Sequence, residues 1–271
     1  MEILTVMSII VILITLLVPS LNMAKKYAKN VRQRAQFHSI DVALDLFNAD
    51  WQGYPPSDAN DETGALYCGA MKLCEAMMGQ DLLGFHPNSR FLLDGIDGAG
   101  TQLYPFAPNI DNLKSRKGPY LQLENANAYK LKHIYGVGST GSFNGEKFVL
   151  CDIYTNVTLK PDTADATPVR GKCGMPILYY KANISKFGHD PNDLANSIYN
   201  YYDNAALVAL GVPGASSTLH PLTVQRFYLS TWDKKIVTAK MRPYRSDSYI
   251  LLSAGYDGLY GTPDDIFNFG E

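Results

Sequence analysis

Three carboxylates near the C-terminus are the residues most suggestive of chemistry. Asp257, Asp264 and Asp265 lie in the stretch SAGYDGLYGTPDDIFNF, among glycines and a proline. Like charges repel each other in a tight loop, and a cation placed among them removes that cost. Calcium takes about six to eight oxygen ligands in flexible geometry, backbone carbonyls included. The stretch does not follow the EF-hand pattern. It therefore predicts either a different kind of calcium loop or a solvated acidic turn.

A fourth carboxylate, Glu2, lies beside a long apolar segment. No charged residue occurs from Ile3 to Val18, and Pro19 follows directly. A carboxylate in hydrocarbon is costly unless it is paired or neutral. Glu2 is therefore either solvated at an interface or paired with a positive group. Pro19 lacks a backbone donor, so it either bends the helix or marks a place where the helix can open.

Signatures of catalysis are missing from the sequence. It contains no Gly-x-Ser-x-Gly, no His-Glu-x-x-His and no Gly-Lys-Ser/Thr motif. The histidines are scattered, which favours packing or surface roles for them. We therefore expect a structural protein and not an enzyme.

The composition and net charge of the chain limit the classes of partner that it can bind. The 271 residues carry a formal net charge of -2, without the basic surplus typical of nucleic-acid binding. We therefore predict no nucleic-acid partner. The hydrophobic fraction of 46% is ample for a core.

The charges on either side of the apolar segment indicate whether it is removed as a signal peptide or retained. A signal peptide has basic residues before its apolar core, whereas here they follow it. These basic residues are Lys25, Lys26, Lys29, Arg32 and Arg34. We therefore expect a retained membrane helix. The positive-inside rule would place the basic cluster and the rest of the chain in the cytoplasm. A basic leader ahead of Met1, since removed, would resolve the conflict with an extracytoplasmic chain.

The elements that position these residues follow from hydrophobic periodicity. Residues 1–50 predict one helix, divided into a membrane or filament-core half at 1–24 and a half at 25–50 that packs on a head at 51–271. Such a helix would extend about 75 Å, so its first half should protrude. In the head we expect a helix at 66–78 and a loop at 94–100. Strands are expected at 146–154, 176–181, 226–231 and 248–253.

Four cysteines allow three disulfide pairings. We favour Cys68 with Cys74 and Cys151 with Cys173, because short loops close most easily. A membrane segment makes extracytoplasmic disulfides plausible. Four free buried thiols are the alternative.

Glu2, Pro19, the extension AKKYAKNVRQRAQ and the helix exit Gly53-Tyr54-Pro55 together resemble the type IV pilins and the type II secretion major pseudopilins. The resemblance covers the first 57 residues closely, the last 25 less so, and the middle only loosely. It implies an α+β, type IV pilin-like fold, in which a long protruding N-terminal helix packs on an antiparallel β-sheet head. It implies that Glu2 pairs with the N-terminal amine of a neighbouring subunit, and that the helix loosens at Pro19 on assembly.

The same resemblance assigns roles at the C-terminus. Asp257, Asp264 and Asp265 would ligate calcium, with the Ala254 carbonyl and Thr262 as helpers. DGIDGAG, at 94–100, resembles a calcium loop only superficially.

The partners that the resemblance implies are identical subunits, the inner membrane, prepilin peptidase and the filament assembly machinery. The chain would lie in the inner membrane before assembly and in an extracellular or cell-surface filament afterwards. Family members begin with an N-methylated residue a few positions before the glutamate, whereas this chain begins one residue before Glu2. The alternative is a membrane-anchored extracellular binding or enzymatic domain that does not polymerise.

Overall fold

A computed structural model describes residues 2–162, 171–215, 218–236 and 241–270. The first element, α1, is one helix from Glu2 to Trp51 that continues through Pro19. It ends at Trp51, because the next residue, Gln52, adopts a left-handed backbone with φ of 56°. Gly53, Pro55 and Pro56 follow, and the two prolines prevent the helix from resuming.

The head is built from short elements. Six further α-helices, one 3₁₀ helix and seven strands occur in the described ranges. The helices are α2 (Gly69–Met78), α3 (Ile110–Ser115), α4 (Leu123–Ala126), α5 (Leu131–Tyr135), α6 (Tyr202–Val208) and α7 (Val224–Thr231), and the 3₁₀ helix is Leu194–Asn196. The strands are β1 (Ala128–Lys130), β2 (Phe148–Leu150), β3 (Val157–Thr158), β4 (Lys172–Cys173), β5 (Leu178–Lys181), β6 (Tyr249–Ser253) and β7 (Ile266–Phe267).

The strands form three small antiparallel sheets. The central sheet has the order β5-β6-β7, and β1-β2 and β3-β4 form two-stranded sheets. In the central sheet Leu178 lies opposite Leu252, and Leu252 lies opposite Phe267. All five residues of β6 are buried, so both faces of the sheet are covered.

The core consists of two layers, one on each face of β5 and β6. One layer joins the apolar stripe of α1, including Phe37 and Leu44, to Tyr179 and Leu251. The other layer joins side chains from the opposite sheet face to Phe227 of α7. Helix α2 is buried along its whole length and contributes to both layers. The alternation of side chains along each strand thus places α1 and α7 on opposite sides of the sheet.

Polar contacts fix the position of α1 on the head. Asp41 accepts hydrogen bonds from the Tyr249 hydroxyl at 2.8 Å and from the Asn268 amide at 3.1 Å, and it pairs with Arg245. Gln36, which is buried, donates to the Cys151 carbonyl at 2.9 Å. These contacts fix the rotation of α1 about its own axis and its position along that axis relative to the sheet.

The α+β class, the long apolar helix and the antiparallel sheets agree with the sequence-based expectation. Helix α2 and strands β2, β5 and β6 lie within their predicted ranges. The strand predicted at 226–231 is wrong, because this segment is helix α7. Thr223 caps the helix by accepting from the Arg226 N–H. The buried residues Phe227, Tyr228 and Thr231 follow helical spacing, which the local richness in aromatic and β-branched residues obscured.

Asp152 gives a prediction about pH and stability. Its carboxylate is buried and accepts from the Ser253 hydroxyl and from the Tyr154 and Met175 amides. Burial nevertheless raises its pKa to about 7. Between its ordinary pKa and about pH 7 only the folded state keeps the proton, so stability falls as pH rises through this window. Asp152→Asn keeps the geometry without the charge. It should stabilise the full chain at pH 8 by on the order of 2 kcal/mol.

Urea unfolding in detergent micelles at pH 5 and pH 8 measures this effect. Asp111→Asn, on the exposed face of α3, is the matched control. If Asp152→Asn loses as much stability from pH 5 to pH 8 as the parent chain, the raised pKa of Asp152 is not the cause of that loss.

Candidate functional site

The first half of α1 presents an uncovered apolar surface. Every described side chain from Ile3 to Lys25 is exposed, and Leu17 retains 65% of its accessible surface. The most apolar window has a mean hydropathy of 2.3 with no residue buried. By length and composition the helix can cross a membrane. An apolar surface of this extent requires lipid or other protein to cover it.

The two assembly residues predicted in this half differ in what the structure shows. Pro19 lies inside an unbroken helix with an exposed side chain. Glu2 begins the helix, and its side chain lies outside the described residues. Their roles in assembly stay predictions.

The C-terminal loop contacts α1 where its exposed half ends. The Lys26 ammonium donates to Asp264 at 2.7 Å. The ammonium groups of Lys26 and Lys29 lie 5.6 and 5.5 Å from the centre of the Tyr256 ring, within cation–π range. We call these four residues the latch. The hydrogen bond to Asp264 raises the pKa of Lys26.

The loop between β6 and β7 contains all five predicted calcium ligands. Gly255, with φ of 67°, lies so close to the Asp264 carbonyl that a Cβ would be 1.9 Å from the carbonyl oxygen. Only glycine permits this approach, which holds the two ends of the loop together. Asp257 is exposed and accepts the Leu259 N–H in a local turn.

Asp265 is the most unusual group in the loop. One carboxylate oxygen accepts the Gly261 N–H at 2.8 Å, and the other is buried without a hydrogen-bond partner in the described structure. Burial raises the pKa of this carboxyl to about 7, and the charges of Asp257 and Asp264 also raise it. A buried acceptor without a partner is costly, and a cation would satisfy it.

The remaining geometry of the loop is less suited to a metal. Across the described ranges, no three His, Cys, Asp or Glu side chains converge on a common metal position. Asp264 faces Lys26, and the Thr262 hydroxyl donates to the Leu259 carbonyl. Ala254 is fully buried. The loop gathers the predicted ligands in one segment, and their use by calcium stays a prediction.

The four cysteines are buried free thiols in this structure. Cys68 precedes α2 and Cys74 lies within it, in different core layers. Six helical residues rise about 9 Å, beyond the Cα separation that a disulfide can bridge. The geometry therefore opposes the predicted Cys68–Cys74 bond. Cys151 and Cys173 lie in the same core layer, and burial together with the neighbouring Cys173 thiol raises the pKa of Cys151, so their pairing stays a feasible prediction.

The latch was not predicted from the sequence. Lys26 was recognised only as part of a basic cluster, and its partner Asp264 is 238 residues away. Only the fold brings the two ends of the chain together. The basic cluster after the apolar segment was the available signal, but it does not identify a partner.

Comparison with protein-family models, with curated proteins and with solved structures finds no match to this chain. What can be said about its function therefore depends on the geometry described above and on the N-terminal sequence features.

The latch predicts that the C-terminal loop depends on α1 for its order. Lys26→Met removes the ion pair but keeps an apolar stem. It should increase hydrogen exchange of the amides at 256–265 a few-fold while leaving β6 unchanged. Exchange measured by mass spectrometry on the full chain tests this, with Lys25→Met as the control at an exposed position. Equal exchange in both variants would show that the latch does not order the loop.

Proposed function

We propose that this chain is a structural subunit, of the pilin or major pseudopilin kind, that polymerises into a helical filament through α1. The supporting observation is the change in environment along one continuous helix. Described side chains are exposed up to Lys25, whereas Gln33, Phe37 and Ile40 are buried in the head. The C-terminal half of α1 is packed on the head, and its N-terminal half is apolar and exposed. This arrangement suits a subunit whose exposed half is covered by lipid before assembly and by neighbouring helices in the filament.

Glu2 fits this proposal energetically. A carboxylate among packed apolar helices is tolerated when a neighbour provides a positive charge, because each charge offsets the other's desolvation. The N-terminal amine of an adjacent subunit would fulfil this role and would fix the axial register between subunits. Pro19 lacks an amide hydrogen, so the helix can open there at less cost when subunits pack.

The proposal includes specific partners and cellular locations. Before assembly the subunit would lie in the inner membrane, where prepilin peptidase and the assembly machinery act on it. On assembly, α1 would pack against identical subunits in the core of a filament at the cell surface or outside the cell. The basic residues after the apolar segment would lie at the membrane surface before assembly.

Calcium belongs to the proposal as a stabiliser of the C-terminal loop. The observation in its favour is the unpartnered buried oxygen of Asp265. Asp257 and Asp264 would have to turn toward Asp265, and Asp264 would exchange Lys26 for the ion. The Ala254 carbonyl and Thr262 are the remaining predicted ligands.

The second candidate is a membrane-anchored extracellular binding or enzymatic domain that does not polymerise. A cleft of about 680 Å³ in the head favours it, because small-molecule sites have this size. The two candidates differ in what covers α1. Lipid alone covers it in the second, and neighbouring subunits cover it in the first.

Electron microscopy of sheared surface material tests polymerisation. We expect helical filaments with residues 3–18 between subunits. Glu2→Leu should stay in the membrane fraction and reduce filament number at least tenfold, whereas Met7→Leu should assemble normally. Chain found only as monomers in the membrane, with the assembly machinery present, would contradict the proposal and favour the anchored domain.

Thermal unfolding of the full chain in detergent tests calcium independently. Calcium that binds only the folded state should raise the melting temperature, and chelator should reverse the shift. Asp257→Asn and Asp264→Asn should lose the shift, whereas Asp111→Asn should keep it. An equal shift in all three variants, or none in the parent, would exclude the predicted ligand set.

A further inference from the structure

A cleft in the head lies beside the C-terminal end of α1. It has a volume of about 680 Å³ and is lined by the helix exit, by the end of β5 and by the segments before α6 and β6. None of the residues predicted for assembly or for calcium lines it. Its volume suits a ligand of two or more sugar or amino-acid units.

Lys181, on β5, is the residue of the cleft wall that we expect to contact a charged ligand. It is half-buried in the cleft wall, and its ammonium makes no hydrogen bond or ion pair in the part of the chain described. Burial lowers its pKa, and the charge of Asp58 opposes this effect. Lys186 lines the same cleft and is likewise without an ion pair among the described residues. A carboxylate entering the cleft would provide the missing acceptor.

Uncharged polar groups also line the cleft. The side chains of Asn48, Gln52 and Ser248 face the cleft and form no hydrogen bond within the described ranges. Amides and hydroxyls both donate and accept, so they match the hydroxyl groups of a sugar in either direction. Tyr54 also lines the cleft, and its ring packs edge-on against Tyr249.

The negative charges of the cleft limit the ligand further. Asp58 and Asp247 are exposed on its lining. Asp203 also lines it, is buried, and accepts a hydrogen bond from the Ser57 hydroxyl. Burial raises the pKa of Asp203 to about 7, and the three carboxyl groups outnumber the two lysines. A ligand with several phosphate or sulfate groups would be repelled by them. The cleft therefore suits a ligand with few negative charges and many hydroxyls.

A peptide strand is a poorer fit. The outer edge of β5 is already occupied, because the Lys181 N–H donates to the Ser57 hydroxyl at 3.0 Å and the Tyr179 carbonyl accepts from the Asn204 amide at 2.7 Å. Strand addition needs free backbone groups on a sheet edge. The cleft must therefore recognise its ligand through side chains.

We propose that this cleft binds an oligosaccharide that carries a carboxylate, such as a uronic acid, with the carboxylate on Lys181 and the hydroxyls on Asn48, Gln52 and Ser248. The site lies on the head, away from the exposed half of α1. It would function in a free subunit, so it does not depend on polymerisation.

The test uses the full chain as detergent-solubilised monomers. The probe is the unsulfated hyaluronan disaccharide, which has one glucuronate. Its carboxyl-reduced form and a multiply sulfated heparin disaccharide are the comparators. Calorimetric titration should show the glucuronate form binding about tenfold more tightly than the reduced form and the sulfated form.

Two variants locate the binding. Lys181→Met should weaken the glucuronate probe about tenfold and leave the reduced probe unchanged. Asn48→Ala, on α1, should weaken both. Lys114→Met, exposed on α3, is the control, and melting curves confirm folding.

Absence of binding, equal binding of the glucuronate and reduced forms, or preference for the sulfated disaccharide would overturn the proposal. Unchanged affinity in Lys181→Met would overturn it as well. Filament formation enters none of these measurements, so the proposed function and this site can fail separately.

Discussion

The burial of one stripe of α1 against the central sheet is the constraint on which the rest of the structure depends. Phe37, Ile40, Leu44 and Phe47 lie in the core, so the second half of the helix cannot leave the head without exposing a large apolar surface. Because the helix is continuous, this anchor also fixes the direction of the exposed half. The apolar surface of that half then requires a covering that the head does not provide.

The polar contacts around this anchor come from distant parts of the chain. Asp41 is bonded by residues on both sides of the last hairpin, and Lys26 is bonded by the loop within it. The C-terminal hairpin therefore contacts α1 from Lys26, ahead of the buried stripe, to Asp41 in the middle of that stripe. This arrangement explains why a loop remote in sequence can influence the place where the helix leaves the head.

Patterns with local causes were predictable from the sequence, and arrangements with distant causes were not. The long helix followed from the helical spacing of its apolar residues, and strands β5 and β6 followed from short apolar and aromatic runs, because both signals lie within the segments themselves. The strand predicted at 226–231 failed because the N-cap at Thr223 outweighed a composition typical of strands. The Cys68–Cys74 pairing was predicted on the assumption that the residues between the two cysteines form a short loop, whereas they form helix α2. The cleft around Lys181 combines separate segments, so its residues carry no common pattern.

The continuity of α1 has a mechanical consequence. About 24 residues project beyond the head as a helix, which at 1.5 Å per residue is a lever of roughly 36 Å. A tilt of about ten degrees at the latch would displace the far end by roughly 6 Å, more than the pitch of one helical turn. Small rearrangements where the head meets the rod are thus converted into displacements large enough to change which neighbouring residues the tip contacts.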